Sequence, residues 1–346
     1  VATLQDSDIA DLIKSTRADE GVGRFNEIAS RLTHYEVMSR MMKTDKQEFQ
    51  AGRKVQGNLL VNHSFSAKQV GLHEVIEPTI DDLFEQFEVP WRHTNCNWSW
   101  ERREGLMNRS AQQIFNMIDG RRVAAMISLF EHLETQFWTA PTDSDNALDW
   151  YGIPYWVVKA TSDTAGFNGG NPTGFSDGAG SINSDTHTRW ANWNAQYTDV
   201  TEDDLLRELR KACRRTDFKS PVDFEDYSNG GGQQRRIYMN EETIDAMESD
   251  MRTRNDNHSD LAQYYGATTF KRHPLRYVPK LNDDTQNPVY CLNFEWLALV
   301  FLSGDFLYEH DPEKSPNQPN TWVVHTDLTG NVLCTNRRMQ AVINKA

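Results

Sequence analysis

The chain has 346 residues, with 36 Lys and Arg against 50 Asp and Glu for a formal net charge of -14, and its length suits about two domains of ordinary size. That acidity excludes a general phosphate-binding surface, because non-specific nucleic-acid affinity comes from clustered Lys and Arg displacing counterions, so any DNA contact is expected to be local and weak. Hydrophobic residues make up 38% and the mean hydropathy is -0.70, which predicts a real core together with elements that leave the main body.

Over the first 48 residues, Phe25, Ile28, Leu32, Tyr35, Met38 and Met42 recur every three or four positions, predicting an apolar stripe on a helix otherwise carrying Arg24, Glu27, Arg31, Glu36 and Arg40. Such a stripe packs either on its own body or on a neighbouring subunit. From 49 to 103 the period becomes two: Val61, His63 and Phe65 alternate with Asn62, Ser64 and Ser66, and Cys96, Trp98 and Trp100 alternate with Asn95, Asn97 and Ser99. This predicts a long hairpin, with a short helix near its tip from Pro78, Ile80, Leu83, Phe84 and Phe87 over 77 to 88. A two-stranded ribbon is marginal in water, so it needs something to lean on.

Residues 108 to 138 read as one long helix with Ile114, Ile118, Met126, Phe130, Leu133 and Phe137 on one face, stopped by Ala140-Pro141. At 1.5 Å per residue it would span roughly 45 Å, the width of a domain. After a loop-rich stretch, Thr201 is expected to cap a helix whose Leu205, Leu209, Ala212 and Cys213 face inward. Residues 236 to 239 are strand-like, Asn240 caps a helix carrying Ile244, Met247 and Met251, and 288 to 293 form another strand. Near the end, 322 to 326 and 332 to 335 read as two strands of a hairpin turning through Asp327-Leu328-Thr329-Gly330-Asn331.

One motif looks catalytic. Gly174-Phe175-Ser176-Asp177-Gly178 matches the G-x-S-x-G elbow, in which a strand runs into the serine and a helix leaves it. Upstream, Gly166-Phe167-Asn168-Gly169-Gly170-Asn171-Pro172-Thr173 disfavours a central strand, and downstream no helical period follows, so a long ordered surface loop is favoured. The same loop spells a P-loop frame with Phe175 in place of the phosphate-binding lysine, and His73-Glu74-Val75-Ile76-Glu77 lacks the second zincin histidine. Cys96, Cys213, Cys291 and Cys334 form no C-x-x-C pair and read as buried thiols. The longest apolar run, 296 to 302, is far below the ~18 residues of a bilayer span, so a soluble protein without a membrane partner is expected. His187, His258 and His325 are scattered, and the aromatic, acidic window holding Trp150, Trp156, Trp190 and Trp193 serves either a carbohydrate cleft or, more simply, the pinning of the loop.

The order of an N-terminal helical arm, a projecting hairpin, a strut helix, an α+β region and returning strands resembles the major capsid protein of tailed bacteriophages, the Hong Kong-97 capsid fold. At residue level the resemblance lies in Gly152-Ile153-Pro154-Tyr155-Trp156, the run from 166 to 176, Pro279-Lys280-Leu281-Asn282-Asp283, Pro288-Val289-Tyr290-Cys291-Leu292-Asn293 and Thr335-Asn336-Arg337-Arg338. The resemblance implies an α+β fold with an N-arm over 1 to 48 and an E-loop over 49 to 103. It implies a P-domain spine helix over 104 to 148, completed by strands around 300 to 336, and an A-domain over 149 to 299, with 337 to 346 as C-terminal segment. It further implies a shell subunit that self-assembles as hexamers and pentamers around double-stranded DNA, with no catalytic, cofactor or metal site. Implied partners are a portal protein, a separate scaffolding protein, an optional decoration protein and, non-specifically, the packaged DNA. The location implied is the virion, with assembly in the host cytoplasm and a procapsid that matures. Expected subunit-interface residues are Phe25, Ile28, Leu32, Tyr35, Val61, Phe65, Trp98 and Trp100. Some members cross-link an E-loop lysine to an asparagine, but nothing beside Lys54 or Lys68 marks a partner here. The alternatives are a cellular nanocompartment shell on the same fold and, in another class, a soluble hydrolase using Ser176.

Overall fold

The computed structural model describes residues 32, 34–35, 40, 42–43, 46–63, 67–72, 83–107, 111–143, 148–218, 234–254, 269–271 and 273–346. Expectations placed on Phe25, Ile28, Met38, Phe65, Pro78, Ile80 and His258 lie outside those residues. In chain order the elements are β1 (Lys46–Phe49), β2 (Lys54–Leu60), β3 (Phe84–Pro90), β4 (Arg92–Glu101), α1 (Arg102–Met107), α2 (Ala111–Phe137) and α3 (Ile153–Trp156). Then come β5 (Gly166–Gly169), β6 (Asn192–Tyr197), α4 (Leu205–Arg215), β7 (Arg235–Met239), α5 (Glu241–Arg254), β8 (Thr269–Phe270) and β9 (His273–Tyr277). The chain closes with β10 (Val289–Asn293), β11 (Leu297–Leu302), β12 (Tyr308–Glu309), β13 (Glu313–Ser315), β14 (Gln318–Cys334) and β15 (Ala341–Lys345).

β14 is the axis of a six-stranded sheet, pairing on one edge with β4 over Thr321 to Gly330 and on the other with β11 over Gly330 to Cys334 and with β12 and β13. The expected hairpin within 322 to 335 is therefore replaced by one strand of 17 residues. Its apparent turn letters serve packing: Leu328 and Asn331 are buried, and a Cβ on Gly330 would lie 2.8 Å from the Phe301 ring. A glycine there lets two backbones approach rather than reverse. The long helix stands as expected, with Leu129, Leu133 and Phe137 of α2 buried in the main core and the Cys96 thiol of β4 donating to Ala125 O at 3.2 Å.

The long hairpin is corrected. Cys96, Trp98 and Trp100 do lie in a strand, but Trp98 pairs with Val324 and Trp100 with Trp322 on β14, not with 61 to 65. Trp98 and Trp100 stack at 5.3 Å and Trp100 and Trp322 at 6.5 Å, an apolar ladder that ties β4 to β14. β2 instead pairs with β3, from Lys54 opposite Pro90 to Leu60 opposite Phe84. The helix expected over 77 to 88 thus gives way to a strand from Phe84 on, because Phe87 and Val89 alternate inward while their apolar run is too short for its period to discriminate.

The second sheet has seven strands in the order β5-β6-β15-β10-β7-β9-β8. Its central strand is β10, and the C-terminal β15 lies beside it, antiparallel to β10 and parallel to β6. α4 covers this sheet with Leu205, Leu209, Ala212 and Cys213 buried as expected, but it starts at Leu205 rather than after a Thr201 cap. The Asp204 carboxylate accepts from Thr198 N and Asp199 N, which closes the preceding turn and shifts the helix start. Asn240 does cap α5, accepting from Thr243 N at 3.1 Å.

Candidate assembly surface and its glycine-rich socket

The catalytic-looking loop is a socket. Gly174 and Gly178 have φ of +82° and +83°, and a Cβ at either would fall about 2 Å from the carbonyl oxygen of Thr142 or Ile182. Both glycines of the motif are therefore backbone requirements. Ser176 is exposed in a turn, with no strand entering and no helix leaving, and its Oγ reaches only Asp177 Oδ1, at 3.4 Å. His187 is turned elsewhere, 3.3 Å from Glu85 of β3, and His325 lies 3.4 Å from Asn95 on β4. Among the described residues no group of three His, Cys, Asp or Glu is placed to hold a metal, and no helix is long and apolar enough to cross a membrane. Ser176→Ala is accordingly expected to leave stability within about 0.5 kcal/mol, whereas Gly178→Ala should cost about 1 to 3 kcal/mol through the forced positive φ and the carbonyl clash. Urea titration checks the pair; stoichiometric labelling of Ser176 by a fluorophosphonate would reverse the reading.

A buried cation holds the socket's shape. Arg337 is fully buried, and its Nε donates to Trp156 O at 2.8 Å, Nη1 to Ser184 Oγ and Trp190 O, and Nη2 to Gly169 O and Gly170 O. Burial pushes its pKa down to about 10, so it stays charged at neutral pH, neutralised by carbonyl dipoles instead of a carboxylate. Buried amides extend the scheme: Asn192 accepts from Val158 N and donates to Val158 O, and Asn344 does the same with Ala160. Trp150, Trp156, Trp190 and Trp193 are all buried, and the Trp190 indole donates to Ala179 O at 2.9 Å. The tryptophan window thus pins the loop to its own body.

The socket receives the β2–β3 hairpin. Glu88 N donates to Gly180 O at 2.9 Å, and Gly180 N donates to the Tyr155 hydroxyl at 2.9 Å. Val55, Phe87 and Val89 at the hairpin's base join the main core. Towards the far end Val61 is buried, and His63 and Glu85 meet Arg189 and His187 of the body, but Leu60 and Phe84, paired across the ribbon, are each 52% exposed and Leu72 is 95% exposed. A rigidly rooted ribbon presents an apolar tip.

No protein-family model matches the chain, and no curated protein matches it in sequence. Among solved structures it is similar to the subunit in the capsid asymmetric unit of cyanophage A-1(L), at 15% identity and a TM-score of 0.61, covering 94% of this chain and 96% of that one. The capsid of the Myoviridae phage XM1 is similar at 10% identity and a TM-score of 0.54, over 86% of this chain and 87% of that one. The encapsulin of the holo-SrpI complex from Synechococcus elongatus is similar at 12% identity and 0.52, over 99% and 96%. The fold is the Hong Kong-97 capsid fold.

Within that capsid fold the expected interface residues scatter. Tyr35 packs on the main core and donates its hydroxyl to Glu131 of α2 at 3.0 Å, and Leu32 is half-buried. Val61 is buried, its N–H donating to Leu83 O. Trp98 is buried in its own sheet and Trp100 is half-buried between two other indoles. Sequence reasoning missed the exposed Leu60, Leu72 and Phe84, and the hub Arg337. The one signal for Arg337 was a charged pair, Arg337-Arg338, set between the apolar strands 332 to 334 and 341 to 343.

Proposed function

We propose that this chain is the major capsid protein of a tailed bacteriophage, self-assembling as hexamers and pentamers into an icosahedral head around double-stranded DNA. The observation that carries this is likeness in fold over nearly the whole of both chains to a phage capsid subunit, a whole-subunit relation and not a shared module. The apolar hairpin tip supports it, since a surface of this kind needs a partner outside the chain. In this reading 1 to 48 is the N-arm and the E-loop is the β2–β3 ribbon, ending before β4, which pairs with β14 in the P-domain sheet. The P-domain is α2 with the β14 sheet, and the A-domain is the seven-stranded sheet with α4 and α5. The subunit has no catalytic role. A portal protein, a separate scaffolding protein and an optional decoration protein are its proposed partners, and the virion is its proposed location.

The likeness to an encapsulin supports a second reading, a nanocompartment shell. Electron microscopy of purified protein, alone and with a co-expressed scaffold, tests both. Closed shells of uniform diameter are expected, and protein that stays monomeric in both conditions overturns them together. Particles with a portal vertex and dense DNA speak for a head; particles filled with a protein cargo speak for a compartment.

A further inference from the structure

The acidic chain concentrates positive charge in one place. α4 carries Arg207, Arg210, Lys211, Arg214 and Arg215 against the single acid Glu208. Its other face, Leu205, Leu206, Leu209, Ala212 and Cys213, is buried on the seven-stranded sheet, so the helix is rigidly held with its cations outward. Arg207 and Lys211 share Glu208, at 3.5 and 2.6 Å, and Arg210 meets Glu202 at 2.8 Å. Arg214 and Arg215 are exposed, and among the described residues no acid pairs with either. Together with Lys211, Trp193 and Ala165 they line a recess of about 470 Å³.

We infer that α4 is a binding site for the phosphate backbone of double-stranded DNA. The cations are strung along the helix axis over about 12 Å, at 1.5 Å per residue, instead of converging on one point. A strand of B-form DNA places a phosphate every 3.4 Å along its axis, so this strip spans a run of roughly three or four phosphates. A carboxylate from a second copy of the chain would need only two converging cations. Contacts to phosphate oxygens position a duplex and do not read its sequence. The site is the local contact that a net charge of -14 leaves room for.

The inference rests on the capsid reading but is tested apart from it, on full-length purified protein binding a labelled mixed-sequence duplex in a salt series. Each neutralised phosphate contributes about -0.9 to the slope of log K against log salt, so the combined variant Arg210→Gln, Arg214→Gln, Arg215→Gln is expected to flatten the slope by roughly 2 to 3 and to weaken binding at least about tenfold at low salt. A charge-matched control, Lys46→Gln, Lys280→Gln, Lys314→Gln, should stay within about twofold of wild type. Equal losses in both variants, no change in the α4 variant, or no binding by wild type would overturn the inference. So would an α4 variant that binds DNA normally but no longer forms particles, which would make the helix a contact between copies. DNA binding mapped to α4 in a protein that never forms shells would keep this inference and remove the capsid reading.

Discussion

Arg337→Met is expected to destabilise the free subunit by about 3 to 5 kcal/mol, enough to bring much of a domain of ordinary stability to the edge of unfolding. The side chain serves six acceptors, the carbonyls of Trp156, Trp190, Gly169 and Gly170, the Ser184 hydroxyl and the Asn192 amide oxygen. A methionine fills similar volume but donates nothing. Each acceptor left dry costs about 1 to 3 kcal/mol, partly offset because no charge need be desolvated any longer. Arg337→Lys keeps the charge yet gathers its donors on one atom, which cannot reach Trp156 O and the glycine carbonyls together, so a loss of about 2 to 3 kcal/mol is expected. Urea unfolding followed by tryptophan fluorescence reads both, with Trp156 and Trp190 beside the site as reporters. An Arg337→Met subunit unfolding within about 1 kcal/mol of wild type would mean that the carbonyls find water and that the hub is dispensable.

Leu60→Asp combined with Phe84→Asp is expected to abolish shells while leaving the subunit folded. Both side chains are half exposed in the isolated subunit, so the fold has little to lose, and the hairpin's base stays rooted through Val55, Phe87, Val89 and the Glu88 to Gly180 hydrogen bond. At a contact between subunits, burying a Leu or Phe contributes roughly 1.5 to 3 kcal/mol, and a buried carboxylate adds a further penalty. A loss of about 3 kcal/mol per contact raises the subunit concentration needed for assembly by about a hundredfold, and a closed shell repeats the loss at every copy. Sedimentation should show unassembled subunits with wild-type far-UV dichroism. Shells at wild-type yield would place the tip in solvent.

Local signals carried the elements whose period matches their packing. α2 was legible because one face stays apolar over its length, and the inward residues of α4 and the Asn240 cap were legible for the same local reason. Pairing was not legible. β4 finds β14 from more than two hundred residues away, and nothing near Trp98 or Trp100 announces Val324 or Trp322 as the partner. Asp327-Leu328-Thr329-Gly330-Asn331 carries turn letters for a reason that lies in another strand, the Phe301 ring over Gly330. The G-x-S-x-G loop was legible as a loop from its flanks, but its task, holding the hairpin through Gly180 and Arg337, depends on contacts across the whole chain.

The most direct measurement is a cryo-electron microscopy reconstruction of the assembled particle at a resolution that traces the β2–β3 ribbon. The expected result is a closed icosahedral shell in which Leu60, Leu72 and Phe84 of each copy are covered by a neighbouring subunit while Phe87 and Val89 remain in their own core. Protein that forms no closed shell, or a shell in which the ribbon tips stand free in solvent, would contradict it.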